Sequence, residues 1–258
     1  MTTTGQKHAP THILVGGMMQ SGSHLLFNLI RILLEELGCG VEMRISGRQT
    51  GYVRAPANNS KVFVIDREHS FVHTPYYHDA SRHTLDYCVF SYRDPRDTAS
   101  SWSLKEDDKE RSVADLISRA RLNINVFESY NYLDPSKLLR WRYEDYKRAL
   151  AVERREELYE LFHNLVSFLS LQDECDTGQP FDLLVDKIVS EAETEIDKSV
   201  GIVGSTKNAH WQKTGLVTTI RSANKGKIGG FRDILSPEII SAIESECGDW
   251  LKEHGYIK

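Results

Sequence analysis

The feature that most constrains the fold is a short apolar run that leads into a glycine- and serine-rich turn and then into an amphipathic helix. Residues 12–15 predict a buried strand, and the turn follows over Gly17–Gly22. Leu25–Leu37 has apolar residues at helical spacing and ends before Gly38, which predicts a helix. In this arrangement the turn amides and the helix N-terminus point to one place, which suits them to bind a phosphate or sulfate group.

Three further runs extend this unit into a sheet. Val62–Ile65 and Tyr87–Tyr92 predict buried strands, and Lys137–Asp145 predicts another with polar residues at its end. Short apolar strands separated by helix and loop are typical of a parallel sheet with helices on its faces. The predicted fold is therefore an α/β three-layer sandwich with a central parallel sheet.

The rest of the chain divides into helical and irregular stretches. Residues 112–132 and 150–171 have a helical pattern, and a last helix is predicted to begin at Ser236-Pro237-Glu238. Other stretches are rich in Gly, Ser, Asn or basic residues and are predicted to be irregular: residues 40–60, 172–184 and 198–230.

Composition limits the function. The chain has 258 residues and a formal net charge of −5, so we expect a single domain, with residues 1–10 as a flexible tail, and no nucleic-acid partner. The first ten residues lack the order of a signal peptide, and the apolar run near them is too short to cross a bilayer. These features predict a cytoplasmic protein without a membrane partner.

The turn by itself leaves the bound anion open. Gly17 and Gly22 have the G-x-x-x-x-G spacing of a nucleotide-triphosphate P-loop, which continues with Lys and Ser or Thr. Ser23 and His24 stand at those positions, so a kinase would lack both its main cation and its metal ligand. An atypical nucleotide or nucleoside kinase is kept as an alternative, as is a turn that binds nothing.

A second group of candidate residues follows the strand Tyr87–Tyr92. Arg93 comes at its carboxyl end, where open α/β sheets bind ligands, and Ser101 lies two turns along the next helix. A guanidinium and a hydroxyl at this offset can bind a second phosphate. We interpret Arg96 and Asp97, which lie between them, as a surface ion pair.

Gln20–His24 together with Arg93 and Ser101 resemble the sulfotransferase family that uses 3′-phosphoadenosine 5′-phosphosulfate (PAPS) and releases 3′,5′-ADP (PAP). Asn224–Phe231 resembles the family's late R-K-G-x-x-G-x-W segment. The resemblance implies a P-loop NTPase-like sulfotransferase architecture, PAPS as donor, no metal, and a small-molecule acceptor with a hydroxyl or amine. It places the 5′-phosphosulfate on Gln20, Ser21, Gly22, Ser23 and His24, and the 3′-phosphate on Arg93, Ser101, Lys225 and Gly226.

The chain departs from the family pattern at a position that the family uses in the reaction. Gln20 stands where the family usually has Lys, so part of the charge stabilisation is missing, and we hypothesise that His24 compensates for it. The resemblance puts the general base just past the strand Val62–Ile65, where His69 is preferred over His73 and Glu68. The predicted catalytic residues are therefore His69, Gln20 and His24.

Two matters stay open at this stage. The change at Gln20 leaves a non-catalytic relative that binds PAPS or PAP as an alternative. The acceptor walls are predicted over residues 43–58, 74–83 and 103–110, whose polar residues favour a polar acceptor. No histidine spacing in the chain defines a metal site, and the oligomeric state is unknown.

Overall fold

The computed structural model describes residues 9–45, 48–57, 61–69, 74, 84–104, 111–175, 179–198 and 226–258. Within these ranges the chain forms a six-stranded sheet in the order β3-β2-β4-β1-β5-β6. Its strands are β1 (Thr11–Gly17), β2 (Gly40–Ile45), β3 (Arg48–Arg54), β4 (Val62–Arg67), β5 (Tyr87–Tyr92) and β6 (Leu138–Arg142). Strand β1 is parallel to both of its neighbours, β4 and β5, while β2 is parallel to β4 and β6 is parallel to β5. The predicted parallel centre is confirmed.

The prediction of a loop over residues 40–60 is wrong, because β2 and β3 form an antiparallel pair at the edge of the sheet. Val41 and Met43 are fully buried, whereas Glu42 and Arg44 lie on the other face and form an ion pair of 2.8 Å. This alternation with a period of two is the ordinary signal of a strand with one buried face. The abundance of polar residues in this stretch concealed it.

The helices cover both faces of the sheet. They are α1 (Ser23–Glu36), α2 (Pro95–Ser103), α3 (Val113–Ser129), α4 (Tyr143–Ala149), α5 (Arg155–Phe168), α6 (Phe181–Lys198), α7 (Phe231–Ile234) and α8 (Pro237–Glu253). Ile13 and Val15 of β1 enter one apolar core with α1, α4, α5 and α6. Leu14 enters a second core with α2, α3, α7 and α8. Since successive side chains of a strand point to opposite faces, the sheet is the middle of three layers.

Most of the predicted helices are confirmed. Helices α3 and α5 lie within the stretches predicted to be helical. Helix α8 begins where its start signals predicted, and Ser236 caps it by accepting a hydrogen bond from the Ile239 amide. Helix α6 corrects the prediction, because it begins at Phe181 inside the stretch 172–184 that was expected to be irregular. Among the described residues no helix is both long and apolar enough to cross a membrane.

Candidate nucleotide and sulfuryl-transfer site

The turn after β1 is held in place by the neighbouring strand. The Met18 amide donates to the Ser91 carbonyl at 3.0 Å, and the buried Ser91 hydroxyl donates to the Ser21 carbonyl at 2.6 Å. The Ser21 side chain lies within 2.7 Å of the Met18 carbonyl and 3.0 Å of the Ser91 carbonyl. Ser21 therefore supports the turn from beneath, since its hydroxyl faces backbone oxygens of the sheet.

Two residues of the turn have left-handed backbone conformations. Gln20 has φ 63° and Gly22 has φ 85°, and Gly22 precedes α1 as its N-cap. No side chain caps α1, and no acidic residue lies in its first turn. The N-terminus of α1 thus keeps the partial positive charge that favours an anion. The buried Gln20 Oε1 atom has no hydrogen-bond partner.

Arg67, at the carboxyl end of β4, brings two predicted catalytic residues together. Its Nη2 atom lies 2.9 Å from His69 Nε2 and 3.4 Å from His24 Nδ1. Arg67 is buried, with 8% of its surface exposed, and its Nε atom has no partner. Burial lowers the pKa of Arg67 to about 10, so the group stays charged at neutral pH. Arg67 was not among the predicted site residues.

His69 lies against the turn with a defined tautomer. Its Nδ1 atom is 2.8 Å from the Gly17 carbonyl, which can only accept, so Nδ1 carries the proton. The lone pair on Nε2 then accepts from Arg67. Burial, reinforced by the Arg67 charge, lowers the pKa of His69 below its ordinary value of 6.5. The imidazole is therefore neutral at pH 7 and can act as a base.

Arg93 follows β5, on the other side of β1 from Arg67, and its charge is more fully compensated. It forms a 3.4 Å ion pair with Asp97, donates to the Lys227 carbonyl at 2.8 Å, and lies 4.8 Å from the centre of the Tyr143 ring. Its Nε atom is buried without a partner, and so is the Ser101 hydroxyl on the following helix. Buried polar atoms without partners are rare in folded proteins and often face a ligand site.

Tyr143, the first residue of α4, connects the three predicted segments. A Cβ atom at Gly22 would lie 2.5 Å from Tyr143 Cδ2, and a Cβ atom at Gly226 would overlap the Tyr143 hydroxyl. Both glycines also have positive φ. The Tyr143 ring therefore packs directly on the turn and on the late segment, and Arg93 also lies against it. Tyr143 directly follows the carboxyl end of β6, and this position in the sequence could have indicated that it lies at the site.

The interpretation of Arg96 and Asp97 as a surface ion pair is wrong. Both residues are buried, and Arg96 pairs instead with Asp94 at 2.7 Å and with Glu244. Asp97 accepts hydrogen bonds from backbone amides of the late segment, at 2.8 Å and 3.0 Å. Burial raises the pKa of Asp97, while its pairing with Arg93 opposes that rise. Asp97 therefore holds the late segment next to Arg93, a position that the charge pattern of the sequence did not indicate.

Several predicted residues complete the picture. Ser23 is buried in the first turn of α1, with its Cβ atom close to Gly17. Gly226 is buried beside Tyr143, whereas Lys225 lies outside the described residues, as do His73 and most of the acceptor walls. Glu68 contacts the His69 amide through its carboxylate at 2.6 Å. The structure thus brings the turn, His69, Arg93 and Gly226 to one end of the parallel strands.

Comparison with known proteins identifies the fold. No protein-family model and no curated protein sequence matches the chain. Similar solved structures include mouse sulfotransferase SULT7A1 complexed with PAP, with a TM-score of 0.58, 12% identity, and coverage of 95% of this chain and 86% of that one. Retinol dehydratase is similar in a complex with retinol and PAP, with a TM-score of 0.54 and 15% identity. It is also similar in a complex with androsterone and inactive cofactor PAP, with a TM-score of 0.52 and 16% identity. Both retinol dehydratase matches cover 95% of this chain and 82% of the other. The chain therefore has the sulfotransferase fold.

Proposed function

We propose that this chain is a cytoplasmic PAPS-dependent sulfotransferase that sulfates a hydroxyl or amine of a small acceptor. The observation that carries the proposal is the set of buried polar atoms without partners at the predicted site: Gln20 Oε1, Arg67 Nε, Arg93 Nε and Ser101 Oγ. Three of these atoms are hydrogen-bond donors: Arg67 Nε, Arg93 Nε and Ser101 Oγ. They lie where the resemblance or the fold places an anion. A fold that buries such donors at one end of its parallel strands is suited to an anionic ligand.

The residues present fit the two ends of PAPS. Arg93, Ser101 and Gly226 would hold the 3′-phosphate, and the uncapped N-terminus of α1 with Gly22 and Ser23 would hold the 5′ end. Lys225 keeps its predicted role at the 3′-phosphate. When bound, PAPS supplies the sulfuryl group to be transferred, and the charge that develops on its oxygens needs a nearby cation.

Arg67 is the cation best placed to meet that need. It is buried beside the turn, and its guanidinium contacts the imidazoles of His24 and His69. Among the described residues, no carboxylate forms an ion pair with this guanidinium. An anion at the turn would compete for Arg67 and release the lone pair of His69 Nε2. His69 would then accept the proton of the acceptor hydroxyl, while the Gly17 carbonyl holds its Nδ1 proton.

A binding experiment tests the donor half of the proposal. We expect PAP to raise the melting temperature by about 5–10 °C at 100 times its dissociation constant, which corresponds to about 2.7 kcal/mol. The rise should disappear in Arg93→Gln. Arg154→Gln serves as the matched control, because it removes an exposed arginine that pairs with Glu157. A rise with ATP and Mg²⁺ but not with PAP would favour the kinase alternative instead.

A second candidate is a relative that binds PAP without catalysing transfer. Gln20 favours this candidate, because a neutral amide replaces a cation in the turn, and so does the Arg67 hydrogen bond that occupies His69 Nε2. Gln20→Lys separates the two candidates. If Arg67 already supplies the charge, the variant should change turnover by only a few fold. A gain of orders of magnitude from a near-zero rate would support the non-catalytic candidate.

A further inference from the structure

Two guanidinium groups stack on one tryptophan beside the proposed site. The Arg119 Cζ atom lies 4.2 Å from the centre of the Trp102 ring, and Arg111 Cζ lies 4.5 Å from it. Trp102 stands near the end of α2 and Arg119 in α3. Contacts of this kind hold a cation through the negative face of the ring, without a carboxylate to neutralise it.

Arg119 is tied to the turn that the proposed donor would contact. Its Nη1 atom lies 2.7 Å from Met19 Sδ. One helical turn further along α3, Asn123 accepts from the Met19 amide at 2.8 Å and also donates to Thr98 at 2.9 Å. These bonds fix α3 against the turn, so the position of Arg119 relative to the turn is set by buried hydrogen bonds.

The charge of Arg119 extends to the proposed base and is not neutralised nearby. Among the residues that the structure describes, no carboxylate forms an ion pair with Arg119. Partial burial, together with the neighbouring Arg111 charge, lowers the pKa of Arg119. Its positive charge in turn contributes to the lowered pKa of His69. A partly buried cation without an anion is costly unless a ligand supplies one.

We propose that Arg119 binds an anionic group of the acceptor, so that the preferred acceptor is a hydroxyl compound carrying a carboxylate or a phosphate. This inference rests on the proposed sulfotransferase function. The guanidinium presents paired N–H donors that suit both anions, and Trp102 holds it in place. The arrangement separates the two ends of the acceptor: its hydroxyl lies at His69, and its anion lies toward α3.

Binding to the complex with PAP tests this assignment without requiring turnover. The probes are para-hydroxybenzoate, para-hydroxyphenylacetate and para-hydroxyphenylpropionate, each beside its neutral amide, with para-hydroxybenzylphosphonate to distinguish carboxylate from phosphate chemistry. Calorimetric titration at saturating PAP should show at least one anion binding about 10- to 100-fold more tightly than its amide. Arg119→Gln should abolish that preference, and Arg119→Lys should restore part of it.

The matched control is Arg121→Gln on the same helix. Arg121 is largely exposed and pairs with Glu246 at 3.4 Å, so its loss should leave the preference unchanged. The inference is overturned if no anion binds better than its amide, if the preference survives Arg119→Gln, or if Arg119→Gln weakens PAP instead. Failure of PAP to bind the unaltered protein would overturn the proposed function itself, which keeps the two failures distinct.

Discussion

Two buried arginines at the ends of the strands on either side of β1 have opposite surroundings. Arg93, after β5, has a carboxylate, a carbonyl and an aromatic ring within contact distance. Arg67, at the end of β4, has two imidazole nitrogens in contact with its guanidinium and forms no ion pair with a carboxylate of the described part of the chain. Both have an Nε atom that is buried without a partner.

The different surroundings of Arg93 and Arg67 indicate different roles for the two side chains. A buried cation paired with a carboxylate is part of the fold, because removing it leaves an uncompensated buried charge. A buried cation without such a partner adds no ion-pair stability to the fold, and its charge stays available to stabilise charge on a ligand. We therefore propose that Arg93 serves binding and architecture and that Arg67 serves chemistry. Two predictions test this division, and two more test its surroundings.

The largest effect is expected for Arg93→Gln. It should lower the free energy of unfolding by about 3 kcal/mol, because Asp97 is left as a buried carboxylate without its cation. Chemical denaturation measures this value. In the exposed control Arg154→Gln the loss should stay below about 1 kcal/mol. Equal losses in the two variants would show that Arg93 is not an architectural residue.

Arg67→Gln should act on turnover rather than on stability. By analogy with the loss of one oxyanion donor, kcat should fall by about 10²–10³-fold. PAP affinity and the unfolding free energy should change little, because Arg67 has no carboxylate partner to leave behind. Steady-state kinetics and PAP titration test this split. Unchanged kcat, or a loss of PAP affinity equal to that in Arg93→Gln, would remove the distinction between the two arginines.

Gly22→Ala tests the packing of Tyr143 that both halves of the site share. The Cβ atom would lie 2.5 Å from Tyr143 Cδ2 in a residue with φ 85°. Gly255→Ala is the control, since Gly255 has φ 71° and nothing within 4 Å of its Cβ position. The control should lose about 1 kcal/mol from the backbone conformation alone. A larger loss in Gly22→Ala measures the Tyr143 contact, and equal losses would show that the ring moves freely.

The smallest effect concerns pH. The pKa of His69 is lowered in the fold, so below its ordinary value of 6.5 the unfolded chain binds the proton more readily than the folded one. The contribution of neutral His69 to stability is therefore present above pH 6.5 and is lost as the pH falls through the lowered value. The slope is at most about 1.4 kcal/mol per pH unit. His69→Gln should flatten the curve of unfolding free energy against pH by that amount, and parallel curves would contradict the burial argument.

The parallel centre of the fold could be predicted from the sequence because its strands are continuously apolar. Each of these strands can be recognised as buried from its own residues alone, as in Val62–Ile65 and Tyr87–Tyr92. The β2–β3 pair was missed because an edge strand with one exposed face contains as many polar as apolar residues. The pair is recognisable from the alternation of apolar and polar residues along the chain, which the overall composition of the stretch does not show.

The site was predictable where a residue type and a strand end coincide. Arg93 follows an apolar strand directly, and that position indicated its role. Arg67 occupies the same kind of position, but Asp66 and Glu68 on either side made it resemble part of a solvated charge run. The surroundings of Asp97 include backbone amides more than 130 positions further along the chain, which no local pattern indicates. The roles of all the predicted site residues remain predictions, including those of Lys225 and His73, which lie outside the described residues.

The bond network of Asp97 has a consequence for the order in which the site is completed. Its carboxylate accepts hydrogen bonds from amides 132 and 134 positions further along the chain. Contacts of such long sequence separation form late in folding, and during synthesis the N-terminal part of a chain leaves the ribosome first. The turn and Arg93 therefore emerge well before the segment that completes their surroundings. The proposed nucleotide affinity would consequently be a measure of finished folding, acquired only when Gly229 and Phe231 have packed against Asp97.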